Sequence, residues 1–141
     1  MDYETLEHEA DMGIRGYGKT LEEAFENGAK AVFSIMVNID KVEPKEKVEI
    51  KVSASDKESL FIEWLNFFIS KVGIDEMVYS KFKVEKIYKE GDEYKLTGHA
   101  FGEKLDQKKH NPKIEVKAAT YYGLKIGEKE GKKYVQCVVD V

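Results

Sequence analysis

The chain ends in Asp140-Val141, which places a side-chain carboxylate beside the free terminal carboxylate at the end of an alternating apolar segment. Oxygen-only donors of this kind suit hard cations such as calcium or magnesium, and calcium takes about six to eight oxygens. Two groups are therefore too few. Asp11, in the polar corner His8-Glu9-Ala10-Asp11, would add a third if the N-terminal hairpin lies beside the last strand. Each acid also has a plainer reading. Asp140 alone reads as a solvated strand end, and Asp11 as a turn residue whose side chain bonds its own backbone.

Other residues with reactive chemistry are sparse. His8, His99 and His110 are too dispersed for the i, i+4 pair of a helical zinc site, although strands and loops could still gather them, and each reads first as a hydrogen-bonding surface or turn residue. Cys137 is the single cysteine; it can close no internal disulfide and form no CxxC site, which fits a reducing cytoplasmic setting. A phosphate loop, GxGxxG, HExxH and GxSxG are all absent, which removes the familiar nucleotide-binding and hydrolase signatures. The segment 104–117 gathers Lys104, Lys108, Lys109, His110, Lys113 and Lys117 against Asp106 and Glu115. Such a local basic patch could meet phosphate or an acidic partner. It reads equally as a solvated loop and strand face, with Lys117 and Glu115 forming an exposed ion pair of little energetic weight.

These residues must be positioned by strands and helices whose signals are clear. Residues 3–7 and 12–17 read as short strands. Thr20-Leu21-Glu22-Glu23 is a capping box, and Leu21, Phe25, Gly28 or Ala29, Val32 and Met36 then continue an apolar stripe to about residue 38. Strict alternation predicts a half-exposed strand over 46–54. Ser55-Asp56-Lys57-Glu58 repeats the capping pattern ahead of a helix so apolar, through Trp64, Phe67 and Phe68, that it reads as the more buried of the two. Strands over 78–88 and 93–101 flank a Glu90-Gly91-Asp92 turn. A last hairpin pairs 113–126 with 133–141 across Glu130-Gly131-Lys132. In it Ile114, Val116, Ala118, Thr120, Leu124 and Ile126 share one face, and Lys117 points away from the core. Two helices with strands grouped as antiparallel hairpins predict an α+β fold in which both amphipathic helices pack on the sheet.

Bulk properties agree with a single soluble domain over residues 1–141. Charged residues make up 35% of the chain, above the typical quarter, which hints at a thermophilic source. The net charge of −4 argues against a protein that coats nucleic acid or membrane, so any RNA role is local or indirect. The acidic N-terminus is unlike a signal peptide, and no stretch approaches membrane-spanning length.

Five segments in fixed order, HEADMGIRGYG, EWLN, GEKLDQKKH, EVKAATYYGLKI and the terminal VVDV, resemble the archease family over essentially the whole chain. The resemblance implies a cytoplasmic accessory protein of tRNA splicing, not an enzyme in its own right. Its partner would be an RtcB-type RNA ligase, which joins 3′-phosphate and 5′-hydroxyl ends using GTP; the accessory protein promotes guanylylation of the ligase and multiple turnover. It further implies an archease-like α+β fold and a calcium or magnesium ion held by Asp11, Asp140 and the carboxylate of Val141. Lys117, His110 and Asp106 fall near the working surface, as contacts to the partner or to a phosphate. An alternative role in the family is that of a chaperone or modulator of a tRNA cytosine methyltransferase. A metal-dependent phosphoesterase is a third reading, but no general base accompanies the acids. The chain departs from the family at Tyr122, where many relatives have histidine, and at Val141, where isoleucine is frequent.

Overall fold

The computed structural model describes residues 2–7 and 11–141. His8, Glu9 and Ala10 of the predicted polar corner lie outside the described residues. Strands β1 (Tyr3–Glu7) and β2 (Asp11–Gly18) lead to helix α1 (Leu21–Met36), a 3-10 turn at Ile39–Lys41, strand β3 (Glu46–Ala54) and helix α2 (Lys57–Asp75). Strands β4 (Met77–Glu90) and β5 (Glu93–Lys104) follow, then a single helical turn α3 (Gln107–His110), strands β6 (Ala118–Ala119) and β7 (Lys125–Lys129), and strand β8 (Lys132–Asp140).

The α+β class and the antiparallel hairpins stand as predicted, but the strands form two sheets rather than one. The larger runs β1-β2-β8-β6 with β7 also paired to β8, and the smaller runs β3-β5-β4. Helix α1 packs against β2 and β8 of the first sheet and β4 of the second, and α2 likewise touches both. One apolar core fills the space between, from Ile14 and Val139 through Phe25, Phe33, Trp64 and Phe68 to Leu96.

Local chemistry sets these boundaries. Thr20 Oγ1 accepts from the Glu23 amide at 3.1 Å, and Glu23 reaches back to the Lys19 amide at 3.3 Å. The second cap is Asp56 rather than Ser55: its carboxylate accepts from the Ser59 amide at 2.7 Å, because an aspartate satisfies that orphan donor as well as a serine. Gly91 alone has positive φ in the β4–β5 turn, the II′ pattern, whereas Glu130 and Gly131 both do between β7 and β8, the I′ pattern.

Helix α1 rather than α2 is the more enclosed, since it is pressed between the sheets. Glycines make that approach possible: a Cβ at Gly16 of β2 would collide with Ala24 O and Gly28 N of α1, and one at Gly28 would stand 2.7 Å from the Phe61 ring. Trp64 Nε1 donates to Phe25 O at 2.9 Å, which joins the two helices without leaving a buried donor unpaired.

The predicted continuous strand over 113–126 is broken. Only Ala118–Ala119 and Lys125–Lys129 pair with β8, and the turn at 121–123 separates them. The shared face predicted for its apolar residues fails with it: Val116 and Ala119 are buried, while Ile114 is 39% exposed.

Turn α3 is held by a charged network. Glu103 Oε2 accepts from the Glu43 amide and from Lys109 Nζ, both at 2.8 Å, and stands 2.9 Å from His110 Nε2. The Asp106 amide donates to His110 Nδ1 at 2.9 Å, so the ring proton sits on Nε2 and points at Glu103. Desolvation alone would raise the Glu103 carboxyl, but these donors together lower it from 4.5 to about 2.

Two predictions follow from this packing. Gly16→Val should destabilise the fold by about 3 kcal/mol, read as a fall in the urea midpoint; a midpoint within error of the parent would show that α1 does not need this close approach. Because Glu103 ionises near 2 when folded and near 4.5 when unfolded, its contribution is complete above about pH 4.5 and is lost as pH falls toward 2. Glu103→Gln should therefore lower stability at neutral pH and flatten its decline over that window; an unchanged pH profile would remove Glu103 as the acid-sensitive group.

Candidate functional site

Strand β8 is the structural spine of the candidate site. It pairs with the whole length of β2, Gly18↔Lys133 through Ile14↔Cys137 and Met12↔Val139 to Asp11↔Asp140. Directly opposed residues of an antiparallel pair share a face with Cβ atoms about 4.5–5.5 Å apart. The faces are fixed by burial: Met12, Ile14, Cys137 and Val139 turn to the core. Asp11 and Asp140 therefore project together from the opposite face. Asp11 is half-buried and Asp140 exposed, and Val141, with the terminal carboxylate, is half-buried beside them.

Asp140 is held from the other side as well. Ala118 of β6 pairs with it, and the Lys117 amide donates to the Asp140 carbonyl at 2.8 Å. Strand β6 is two residues long and needs a second support. Asn66 of α2 supplies it: the Ala119 amide donates to Asn66 Oδ1 at 2.8 Å, and Asn66 Nδ2 donates to Ala119 O at 3.3 Å. The carboxamide thus pairs with the backbone as a neighbouring strand would. Asn66 was legible in the sequence only as part of the EWLN segment, and no spacing argument singled it out. Exposed Lys117 borders a hollow of about 400 Å³ whose walls include Met36, Ile69, Val72 and Val116.

The structure gathers Asp11, Asp140, Val141 and Lys117 at one end of the larger sheet, and it leaves two predicted contact residues elsewhere. His110 is fully buried, with Nδ1 and Nε2 both engaged inside the protein, so it presents no atom to a partner or a phosphate. Asp106 caps turn α3, accepting from the Lys108 and Lys109 amides at 2.9 and 3.1 Å, and those bonds lower its pKa. The basic segment is likewise largely engaged. Lys109 pairs with Glu43 and Glu103, while Lys104 and Lys113 donate to the carbonyls of Asp75 and Ser34. Burial pushes the Cys137 thiol up to about 12, which leaves it inert at neutral pH.

The donor set of Asp11, Asp140 and the Val141 carboxylate fits a hard divalent cation. All of its charged donors are oxygens, and like charges set directly opposite on neighbouring strands are destabilising until a cation stands between them. A second cluster, Glu49, Glu85 and His99 on the outer face of the smaller sheet, also brings one donor atom from each residue within 4.8 Å of the others. There Glu85 Oε1 is 3.0 Å from His99 Nδ1 and Glu49 pairs with Lys47 at 3.0 Å, with both acids exposed to solvent. Among the described residues no helix is long and apolar enough to cross a membrane.

Comparison with known proteins agrees with this architecture. Residues 3–141 match the family described as the archease protein family. The protein archease of Pyrococcus furiosus is 46% identical over 140 residues, covering 99% of this chain and 98% of its own. That of Pyrococcus abyssi is 47% identical with the same coverage, and that of Methanosarcina mazei 39% identical over 139 residues, covering 99% and 95%. The solution structure of Methanobacterium thermoautotrophicum protein 1598 superposes with a TM-score of 0.83 at 33% identity, covering 99% of both chains. A Thermotoga maritima crystal structure, described as an archease and possible chaperone, shares the fold with a TM-score of 0.51 at 21% identity, covering 96% of this chain and 94% of that one. With its whole length matched and its fold shared, the chain belongs to the archease family.

Proposed function

We propose that this protein is a metal-binding accessory factor of tRNA splicing that activates a GTP-dependent RtcB-type 3′-phosphate/5′-hydroxyl RNA ligase, promoting its guanylylation and repeated turnover. The observation that supports the reading is the enforced opposition of Asp11 and Asp140 beside the chain terminus. Asp11, Asp140 and the Val141 carboxylate would hold the cation, calcium or magnesium, at an edge where a partner has access. A divalent cation there offsets the clustered negative charge and polarises phosphate oxygens. Lys117, fixed to Asp140 through its amide, would supply a cation for the ligase surface or a phosphate, and its exposure leaves the ammonium available. RNA itself would be met through the ligase at this site.

The alternative, a chaperone or modulator of a tRNA cytosine methyltransferase, draws support from the Thermotoga maritima relative described as a possible chaperone. The two readings separate on the metal. Ligase activation is catalytic in this protein and needs the carboxylates, whereas chaperoning is stoichiometric and survives their loss.

In single-turnover guanylylation of purified ligase, the chain should accelerate the step, and chelation, Asp11→Ala, Asp140→Ala or deletion of Val141 should abolish the acceleration while thermal midpoints stay close to the parent. Full stimulation by all three variants would exclude the metal-dependent role, and suppression of methyltransferase aggregation by the same variants would select the chaperone reading. Lys117→Glu should raise the concentration needed for half-maximal stimulation about ten-fold or more, with cation binding retained; a parent-like titration would place docking elsewhere.

A further inference from the structure

The outer face of the smaller sheet carries a charge pattern that the Asp11–Asp140 cluster does not use. Its register turns Val48, Ile50 and Val52 of β3 and Leu96 and Ala100 of β5 inward. Lys47, Lys51, Lys81, Lys83, Lys86 and Lys95 consequently stand on the opposite face of its three strands, against Glu49 and Glu85, in a chain whose net charge is −4. Lys47 is paired with Glu49 and Lys95 with Glu90. Among the described residues Lys51, Lys81 and Lys83 enter no ion pair, and neither does Lys30 of α1 beside them.

Three of those unpaired lysines surround a hollow. Lys30, Lys81 and Lys83 line about 420 Å³ together with Phe82, His99 and Phe101. His99 and Phe101 alternate along β5 on the outer face, half-buried, with ring centroids 5.4 Å apart. Glu26, whose carboxylate accepts from the Val84 amide at 2.8 Å, offsets part of the charge of Lys30 and Lys83, but the excess of lysines still raises the local potential, and an apolar ring surface lies between them. Both features are satisfied together by a ligand that alternates phosphates with flat aromatic groups. Lysines that neutralise phosphates release the condensed counterions into solution, and unpaired bases stack on aromatic side chains. An acidic protein surface would satisfy the lysines but leave the rings unused.

We propose that this face binds single-stranded RNA, with phosphates on Lys30, Lys81 and Lys83 and a base against Phe101 and His99. The surface is distinct from the Asp11–Asp140 cluster, and the proposal stands whether or not the protein activates a ligase.

Fluorescence anisotropy with a labelled single-stranded oligoadenylate tests it on the intact chain. Binding should weaken steeply with salt. The Lys81→Glu/Lys83→Glu double variant should lose at least about ten-fold in affinity, Phe101→Ala about ten-fold, and Lys81→Arg/Lys83→Arg should bind like the parent. Lys129→Glu, on β7 of the larger sheet, should leave the affinity unchanged, which ties binding to the smaller sheet. Absence of binding at low salt, or an affinity indifferent to the charge reversal, would overturn the proposal. So would equal competition by polyglutamate with no effect of Phe101→Ala, the pattern of an acidic protein partner. Urea midpoints of each variant distinguish lost binding from lost fold.

Discussion

The antiparallel ladder between β2 and β8 is the constraint on which the rest depends. It ties the first residues of the chain to the last, and its register is dictated by burial: Met12 and Ile14 face the core opposite Val139 and Cys137. A slip of one residue would turn those side chains to solvent, because side-chain direction alternates with period two. The hydrophobic core therefore forces Asp11 and Asp140 into opposition, although two carboxylates so placed repel. An arrangement that burial imposes and electrostatics resists is a natural place for a cation.

The supports around that ladder show how little free choice remains at the end of β8. Strand β6 covers Asp140 for only two residues, and the Asn66 carboxamide gives it the backbone partner that a further strand would supply. Helix α1 lies close enough to back the ladder because Gly16 leaves room for it, and Gly28 in turn leaves room for the Phe61 ring of α2. These contacts carry Lys117 to the same end as the acids while its side chain stays exposed.

Much of this was legible in the residues, and the exceptions have physical reasons. Capping at Thr20, alternation over 46–54 and the turn glycines at 91 and 131 report local energetics, so they read correctly. The division into two sheets depends on which strands meet, which no local pattern encodes. The segment 113–126 alternates like a strand, yet the turn at 121–123 interrupts it and only short pieces reach β8. His110 looked like a surface base within a lysine-rich run, but Glu103, sixty residues from its other partner Glu43, draws it inward. Lysine count within one segment also misled: Lys104, Lys109 and Lys113 spend their charges on internal acceptors, whereas Lys51, Lys81 and Lys83 are brought together by the ladder of the smaller sheet. Asp11 and Asp140 were legible as a conditional pair, requiring the N-terminal hairpin to lie against the last strand, and the β2–β8 register meets that condition.

The most direct test of the cation site is a crystal structure of the protein grown with calcium, with anomalous scattering used to locate the ion. The account predicts a calcium ion bound by carboxylate oxygens of Asp11, Asp140 and Val141. Calcium absent from that end of β8 at saturating concentration, with Asp11 and Asp140 separately solvated or the ion held only by Glu49, Glu85 and His99, would contradict it.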